Sequence, residues 1–347
     1  MGTRIQKGFT FDDVLIRPAA SAIEPKDASL HTTIAGIALA LPFLSAAMDR
    51  VTESAMAIAL GKLGGLGVLH RNCTIEEQVA MVRKVKKAGV VVAAACGPFA
   101  IDRALALDAA GVDAIVVDCA HGHNLNVIAS AKKIKKSLKH AKLIFGNIAT
   151  AEAARAACSF ADAIKVGVGP GSICTTRIVS GVGVPQLSAI MEVAEVASKK
   201  KIPVIADGGM RTSGDIAKAL AAGASAVMLG NIFAGTDEAP GRVVVRGGKK
   251  YKEYRGMGSA AVIASSSGKE RYLTQGRKAV PEGVEALVPC KGPVAEIVAT
   301  LASGIQVGMG YVGAPTLAVF AKKAQFIRIS HASYIESRPH SLASIEE

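Results

Sequence analysis

The chain lacks tryptophan, and its other aromatic residues are nine phenylalanines and five tyrosines among 347 residues. It also lacks long hydrophobic runs, because stretches such as residues 90–96 are far shorter than the roughly 20 residues of a membrane-spanning helix. Hydrophobic residues still make up 50% of the chain, which excludes a disordered protein. A core rich in small aliphatic residues is typical of parallel strands packed against helices.

The six cysteines form no Cys-x-x-Cys pair and show no metal-like spacing with histidine. The first residues contain neither the apolar region of a signal peptide nor the features of a myristoylation site. We therefore expect a cytoplasmic protein with reduced thiols and no membrane anchor.

Positive charge is in excess, since 41 Lys and Arg face 28 Asp and Glu, for a net charge of +13. Such a balance favours either nucleic acid or small anionic substrates as partners. The basic residues are dispersed apart from short runs at 132–136 and 199–201, without interleaved aromatics. We expect solvated helix faces and attraction of phosphate, and not nucleic-acid binding.

Short apolar runs alternate with longer segments of helical periodicity, which predicts strand–helix units. The predicted strands are 42–47, 65–69, 90–96, 114–118, 143–147, 163–168, 203–207 and 226–230. The predicted helices between them include 75–88, 101–110, 126–138, 151–158, 187–199 and 213–222. Eight such units predict a (β/α)8 barrel in a single domain, 1–347. A doubly wound sheet is the alternative, but no GxGxxG opening supports it.

Polar residues and glycines follow the strands at one end, as the active face of a barrel requires. Any one of them could simply cap a helix or form a turn. They are Asp49, His70, Cys96, Asp118, Asn147, residues 169–174, Asp207 and Gly230.

An insertion of about residues 242–291 follows the eighth strand, at the same end of the barrel. Its first part predicts a β-hairpin with a turn at Gly247 and Gly248. A long insertion at this end is either an active-site flap or a disordered segment, and the content of residues 271–272 and 281–283 favours the flap.

The glycine-rich segment 165–177 contains the most informative cysteine, Cys174. Its glycines allow a tight loop whose N–H groups can hold phosphate or whose carbonyls can hold a cation. A cysteine is more often a small core residue than a nucleophile. In this loop, beside hydroxyl groups and Arg177, it is a candidate nucleophile.

Segments 167–177 and 181–186 resemble the catalytic-loop signature of the inosine-5′-monophosphate (IMP) dehydrogenase / GMP reductase family. The resemblance extends over nearly the whole chain. It includes segments 9–15, 45–49, 118–123, 146–150, 206–210, 254–259, 281–285 and 325–330.

For a dehydrogenase, the resemblance implies that Cys174 attacks the purine C2 and that hydride passes to NAD. The resulting thioimidate is then hydrolysed to xanthosine monophosphate (XMP), the committed step of guanine nucleotide synthesis. It further implies that Arg271 and Tyr272, on the flap, activate the water. Thr176 and Glu282 would support proton transfer.

The resemblance also implies the binding residues. IMP would be bound by Ser45, Met48, Ser172, Asp207, Gly208, Gly209, Gly230, Asn231, Tyr254, Gly256, Met257, Gly258 and Glu282. NAD would be bound by Asp118, Asn147 and Gly167. Potassium would be held by carbonyls of Gly169, Gly171 and Cys174 and, from a neighbouring subunit, of Glu336, Ser337 and Arg338. The chain is therefore expected to form a homo-oligomer, by analogy a tetramer.

The sequence departs from most IMP dehydrogenases because no CBS module pair is inserted between the second and third strands. GMP reductase, which converts GMP to IMP and ammonia with NADPH, is the alternative, since it is similarly compact and shares Cys174. The Arg271–Tyr272 pair favours the dehydrogenase. Further departures are Asn231 for a phosphate-binding serine, Cys290 for a tyrosine, and Ala260 with Ala261 for a Leu-Gly pair. A non-catalytic barrel that binds nucleotides or nucleic acid is the third hypothesis.

Overall fold

The computed structural model describes residues 5–264 and 280–341. Its strands are β1 (Val14–Ile16), β2 (Thr32–Ile34), β3 (Ile37–Leu39), β4 (Phe43–Ser45), β5 (Leu66–Leu69), β6 (Val92–Cys96), β7 (Ala114–Asp118), β8 (Lys142–Ile148), β9 (Ala163–Val166), β10 (Val204–Asp207), β11 (Ala226–Leu229), β12 (Val243–Arg246), β13 (Lys249–Arg255), β14 (Glu285–Pro289) and β15 (Phe326–Arg328).

The α-helices of the described residues follow the strands along the chain. They are α1 (Ser54–Lys62), α2 (Ile75–Lys87), α3 (Ile101–Ala109), α4 (Leu125–Ser137), α5 (Ala151–Ala157), α6 (Thr176–Ser180), α7 (Gln186–Lys199), α8 (Ser213–Ala221), α9 (Asn231–Ala234), α10 (Ala260–Ala264), α11 (Val294–Val312), α12 (Leu317–Lys323) and α13 (His331–Glu336).

Strands β4 to β11 form a closed barrel of eight parallel strands in chain order, in which β11 pairs with β4. The predicted (β/α)8 barrel is therefore confirmed, and each predicted strand end lies within two residues of the observed one. The strands could be predicted because their pattern is local: each barrel strand is a short apolar run next to a helix with one apolar face.

Side chains of the barrel strands alternate between two apolar cores. Inward-facing residues such as Val116, Ala163 and Ile205 fill the barrel, whereas their neighbours pack between strands and helices. The β2–β3 hairpin adds Ile34 and Leu39 to the inner core. Since these two side chains are fully buried there, the barrel is a packed core and not a channel.

The insertion after β11 forms a three-stranded antiparallel sheet, β12-β13-β14. The predicted hairpin is confirmed, with Arg246 opposite Lys249 and φ of 55° at Gly247 and 76° at Gly248 in the turn. Arg271 and Tyr272 lie outside the described residues, and the flap itself stays a prediction.

Helix α11 is 19 residues long and, by length and composition alone, apolar enough to cross a membrane. It packs against α8 and α1 as part of the helical layer of the barrel. A helix in the core of a soluble domain passes the same test, so this feature is weak evidence for a membrane span.

Two aspartates connect the amino ends of adjacent barrel strands in the same way. Asp113 accepts a hydrogen bond from the N–H of Val92 and pairs with Lys86. Asp162 accepts one from the N–H of Leu143 and pairs with Lys135. Each carboxylate thus satisfies a backbone donor at a strand start and ties the strand to the preceding helical layer.

We predict that Asp162→Ala lowers the free energy of unfolding by about 1–3 kcal/mol, because it leaves a largely buried N–H and an ammonium without their acceptor. The measurement is urea denaturation followed by circular dichroism. Glu195→Ala is the matched control, since Glu195 forms an exposed i,i+4 pair with Lys199, and such pairs contribute little. Equal effects of the two substitutions would contradict this account of the strand starts.

Candidate active site

A cavity lies at the carboxyl ends of the barrel strands, and it brings most of the residues singled out in the sequence together. Its lining includes Met48, Asp118, Asn147, Gly167, Gly169, Gly171, Ser172, Cys174, Thr176, Asp207, Gly208, Gly209, Gly230, Asn231, Tyr254, Gly256, Met257, Gly258 and Glu282. Three elements meet there: the strand ends, the loop before α6, and the insertion sheet.

Some expected residues are not in this lining. Ser45 is fully buried in β4, beneath the cavity, and its hydroxyl has no hydrogen-bond partner among the described residues. Glu336, Ser337 and Arg338 lie at the end of α13 and do not line the cavity. Arg271 and Tyr272 fall outside the described residues.

Cys174 begins a chain of hydrogen bonds that ends on a carboxylate. Its Sγ donates to Thr176 Oγ1 at 3.2 Å, and Thr176 Oγ1 donates to Glu282 Oε2 at 2.6 Å. Backbone contacts fix this arrangement, since the Thr175 N–H donates to the Glu282 carbonyl at 3.0 Å. The geometry can carry the thiol proton away from sulfur, which would leave the nucleophilic thiolate.

Glycines let two loops of the cavity approach each other closely. Gly208 and Gly209 have φ of 91° and 85°, in the left-handed region. A Cβ added to Gly208 would lie 3.1 Å from the Pro170 ring and 3.3 Å from the Gly171 nitrogen. The backbone after β10 therefore lies directly against the loop that carries Cys174, and side chains larger than glycine would separate them.

Arg177 fixes the two ends of the Cys174 loop. Its Nε donates to the carbonyl of Val168 at 3.3 Å, and its Nη2 donates to the carbonyl of Val184 at 2.6 Å. The side chain also packs on Gly169, where a Cβ would lie only 2.6 Å from Arg177 Cγ. Arg177 is therefore a structural clamp of this loop.

Lys165 is the main polar residue of the cavity that the sequence reasoning missed. It is 2% exposed, and its Nζ donates to Asp118 Oδ1 at 3.1 Å, to Asp207 Oδ2 at 2.6 Å and to Asn147 Oδ1. The sequence does contain a signal for Lys165. It lies two residues after Ala163 in an apolar strand, and residues two apart share a strand face, so Lys165 faces inward like Ala163.

Asn147 completes this cluster by donating through Nδ2. It reaches Asp207 Oδ2 at 2.9 Å and the Gly167 carbonyl at 2.8 Å. Both polar atoms of the amide are thus used, so the side chain holds one orientation between the Asp207 carboxylate and the loop.

The insertion sheet supplies Tyr254, whose hydroxyl lies in the cavity while the residue is 3% exposed. Burial raises the pKa of Tyr254, against the opposing effect of a hydrogen bond with Ser172. The phenol therefore stays protonated at neutral pH and can donate a hydrogen bond. A Cβ on Gly230 would lie 3.1 Å from this hydroxyl, so strand β11 ends beside it.

An ion pair attaches the same sheet to the barrel. Arg255 Nε lies 3.1 Å from Asp49 Oδ2, and Asn72 Nδ2 donates to the same oxygen at 2.6 Å. Burial of Asp49 opposes its ionisation, but these hydrogen bonds outweigh it, and the pKa of Asp49 is lowered. The pair fixes the start of the loop containing Gly256, Met257 and Gly258.

Among the described residues, no group of three or more His, Cys, Asp or Glu side chains could hold a metal ion. The expected potassium ligands are instead backbone carbonyls of the Cys174 loop. One of them, the Gly171 carbonyl, accepts a hydrogen bond from the Cys174 N–H at 3.1 Å. Carbonyl oxygens of this kind suit hard cations and not thiolate-preferring metals.

The family model of the IMP dehydrogenase / GMP reductase domain matches residues 8–340. An inosine-5′-monophosphate dehydrogenase of Methanocaldococcus jannaschii is 41% identical, over 99% of this chain and 97% of that protein. The Halobacterium salinarum protein of the same name is 40% identical, over 99% and 95%. The protein of that name from Cryptosporidium parvum is 42% identical, over 100% and 98%.

The alignments also agree with the expected lack of a CBS pair. The alignment with the M. jannaschii protein has 479 positions against 347 residues here, so at least 132 positions face gaps in this chain. In the structure, α2 is followed by β6 after only residues 88–91. With the family match covering residues 8–340 and relatives of about 40% identity along nearly their full length, the chain belongs to the IMP dehydrogenase / GMP reductase family.

Proposed function

We propose that the protein is an IMP dehydrogenase, which oxidises IMP to XMP with NAD through a covalent adduct on Cys174. The observation that carries this proposal is the chain of hydrogen bonds from Cys174 through Thr176 to Glu282. The names of the relatives and their extent of alignment support the same reaction.

In the first half of the reaction, Thr176 receives the thiol proton of Cys174 and passes its own to Glu282. The thiolate then adds to C2 of the purine, and C2 loses hydride with its electron pair. NAD supplies the hydride acceptor when it is bound. The chain's own contribution is to hold the sulfur against C2 and to remove the proton.

In the second half, water adds to C2 of the thioimidate and the C–S bond breaks. The sulfur leaves as thiolate and is reprotonated through Thr176, and the product is XMP. Overall IMP, NAD⁺ and water give XMP, NADH and a proton. We assign activation of the water to Arg271 and Tyr272 on the proposed flap, following the family resemblance.

The nucleotide fits the cavity by the chemistry of its lining. We assign the ribose hydroxyls to the Asp207 carboxylate, whose position Lys165 and Asn147 fix. The 5′-phosphate is assigned to Ser172, Tyr254 and the backbone at Gly208, Gly209, Gly230 and Asn231. The base is assigned to Met48, Gly256, Met257, Gly258 and Glu282. Ser45, also expected to bind IMP, is fully buried at the end of β4 and does not belong to this lining.

NAD is assigned to the side of the cavity formed by Asp118, Asn147 and Gly167, where a buried ammonium and polar groups meet. Potassium is assigned to the carbonyls of Gly169, Gly171 and Cys174. The last carbonyls of a helix have no partner within it, which suits Glu336, at the end of α13, and the following Ser337 and Arg338 as ligands from a second subunit. A site shared in this way makes the protein a homo-oligomer, by analogy with the family a homotetramer, and we assign it to the cytoplasm.

The direct test is absorbance of NADH after IMP and NAD are mixed with the protein, with and without potassium. We expect NADH formation that potassium stimulates. If the protein instead consumes NADPH when GMP is supplied, it is a GMP reductase. If neither NADH formation nor NADPH consumption is seen, and the protein binds random-sequence RNA in a salt-sensitive way, the non-catalytic hypothesis is favoured.

Replacing the nucleophile separates chemistry from binding. We expect Cys174→Ala to abolish NADH formation and the covalent adduct, seen as a mass increase by mass spectrometry, while IMP still binds. Cys158→Ala is the control, because Cys158 lies on the barrel surface after α5, away from the cavity. Retention of substantial turnover by Cys174→Ala would exclude this sulfur as the nucleophile.

Lys165→Met tests the buried cluster that Lys165 forms with Asp118, Asn147 and Asp207. Without the ammonium, the Asp118 and Asp207 carboxylates, which both contact Nζ, lose their shared counter-charge. Leaving such charges buried lowers the free energy of unfolding by about 3–5 kcal/mol. Because the carboxylates would no longer be held in the positions assigned to ribose and NAD binding, we also expect a large fall in kcat/KM. Lys199→Met, at an exposed position, should retain full activity. Normal steady-state kinetics in Lys165→Met would contradict the role assigned to the cluster.

A further inference from the structure

Two partly or fully buried lysines lie outside the chemistry described so far. Lys252 belongs to β13, and Lys291 follows β14. Their ammonium groups point to the same piece of chain, residues 230–242, which links β11 to the insertion sheet. We call this piece the β11–β12 connection.

The ammonium group of Lys252 is surrounded by three backbone carbonyls. It is 5% exposed, and its Nζ donates to Thr236 at 2.7 Å, to Asp237 at 3.0 Å and to Ala239 at 2.6 Å. An ammonium has three donors and no acceptor, so every N–H of Lys252 has a partner. Burial lowers the pKa of Lys252, against the opposing effect of the nearby charges of Asp237 and Glu238.

Lys291 contacts the beginning of the same connection. Its Nζ lies 3.2 Å from the Ile232 carbonyl and 3.4 Å from that of Asn231. Its backbone N–H also donates to the Gly235 carbonyl at 2.9 Å. A Cβ on Gly235 would lie 2.2 Å from the Pro289 carbonyl, so the end of β14 packs directly on the connection.

The connection starts in the cavity, because Gly230 and Asn231 both line it. The buried face of β13 carries Lys252 and, two residues later, Tyr254, whose hydroxyl lies beside Gly230. One strand face therefore contacts both the cavity end and the far end of the connection. Displacing the lysines would change the distance between Tyr254 and the backbone at residues 230 and 231.

We propose that Lys252 and Lys291 are positioning residues, which hold the β11–β12 connection so that Gly230, Asn231 and Tyr254 together receive the 5′-phosphate of the nucleotide. The inference rests on the proposed function, because it takes IMP as the ligand. Neither ammonium needs to touch the phosphate. Their effect passes through backbone carbonyls, and it concerns the phosphate and not the base or the ribose.

The test compares IMP with inosine, which lacks the phosphate. Dissociation constants of both are measured by calorimetry for Lys252→Met and Lys291→Met. We expect the dissociation constant of IMP to rise about 10- to 100-fold and that of inosine to change less than twofold. Lys250→Met is the matched control, because it removes the same charge from an exposed position of β13, and both constants should stay unchanged.

Chemical rescue tests the ammonium itself. Lys252→Ala removes the atoms that n-propylammonium contains, so this ion should restore most of the IMP affinity. Tetramethylammonium has the same charge but no N–H donors, and it should not. Rescue by both ions would show an effect of ionic strength and would overturn the proposal.

The remaining outcomes of the binding measurements each have one interpretation. Equal loss of IMP and inosine affinity would mean a general structural role, and unchanged IMP affinity in both Met variants would exclude any role at the phosphate. Circular dichroism identifies a variant that does not fold, in which case the Lys291→Met result decides. Failure of the unmodified protein to bind IMP would contradict the proposed function and not this inference alone.

Discussion

The ammonium of Lys165, buried between the carboxylates of Asp118 and Asp207, is the interaction on which the site depends. The two carboxylates come from β7 and β10, on opposite sides of β9. Burying either acid without a counter-charge would be strongly unfavourable, and so would burying the lysine alone. The cluster is stable only as a set, so it fixes the top of the barrel before any ligand arrives.

The period of two along each strand explains how these residues meet. Below the cluster, the same strand faces carry Val116, Ala163 and Ile205, which fill the barrel. The polar layer thus sits on an apolar one that cannot shift without opening a void. A register change of one residue would turn the charged side chains into the helix layer, where they would have no partners, so packing and electrostatics select the same register.

The sequence was sufficient to predict the eight strands and the polar residues at strand ends such as Asp118 and Asp207, because both are local patterns. It was not sufficient for Lys165, since its partners lie 47 and 42 residues away and only the closed barrel brings them together. Glu282 came from family resemblance alone, because its contact with Thr176 spans 106 residues. The three-residue strands β2 and β3 carry too little pattern to be predicted.

The insertion is best understood as half of the active site and not as an attachment to a complete barrel. The barrel loop supplies the sulfur of Cys174, but Glu282, the carboxylate at the end of the proposed proton path, comes from the insertion. Tyr254 comes from the insertion as well, and the Arg255–Asp49 pair fixes it to the segment that follows β4. Because the proposed nucleophile and the proposed proton acceptor belong to different parts of the chain, the hydrogen-bond path from Cys174 through Thr176 to Glu282 exists only while the insertion lies against the barrel loop. On the proposed mechanism, the position of the insertion and the activation of Cys174 are therefore physically coupled.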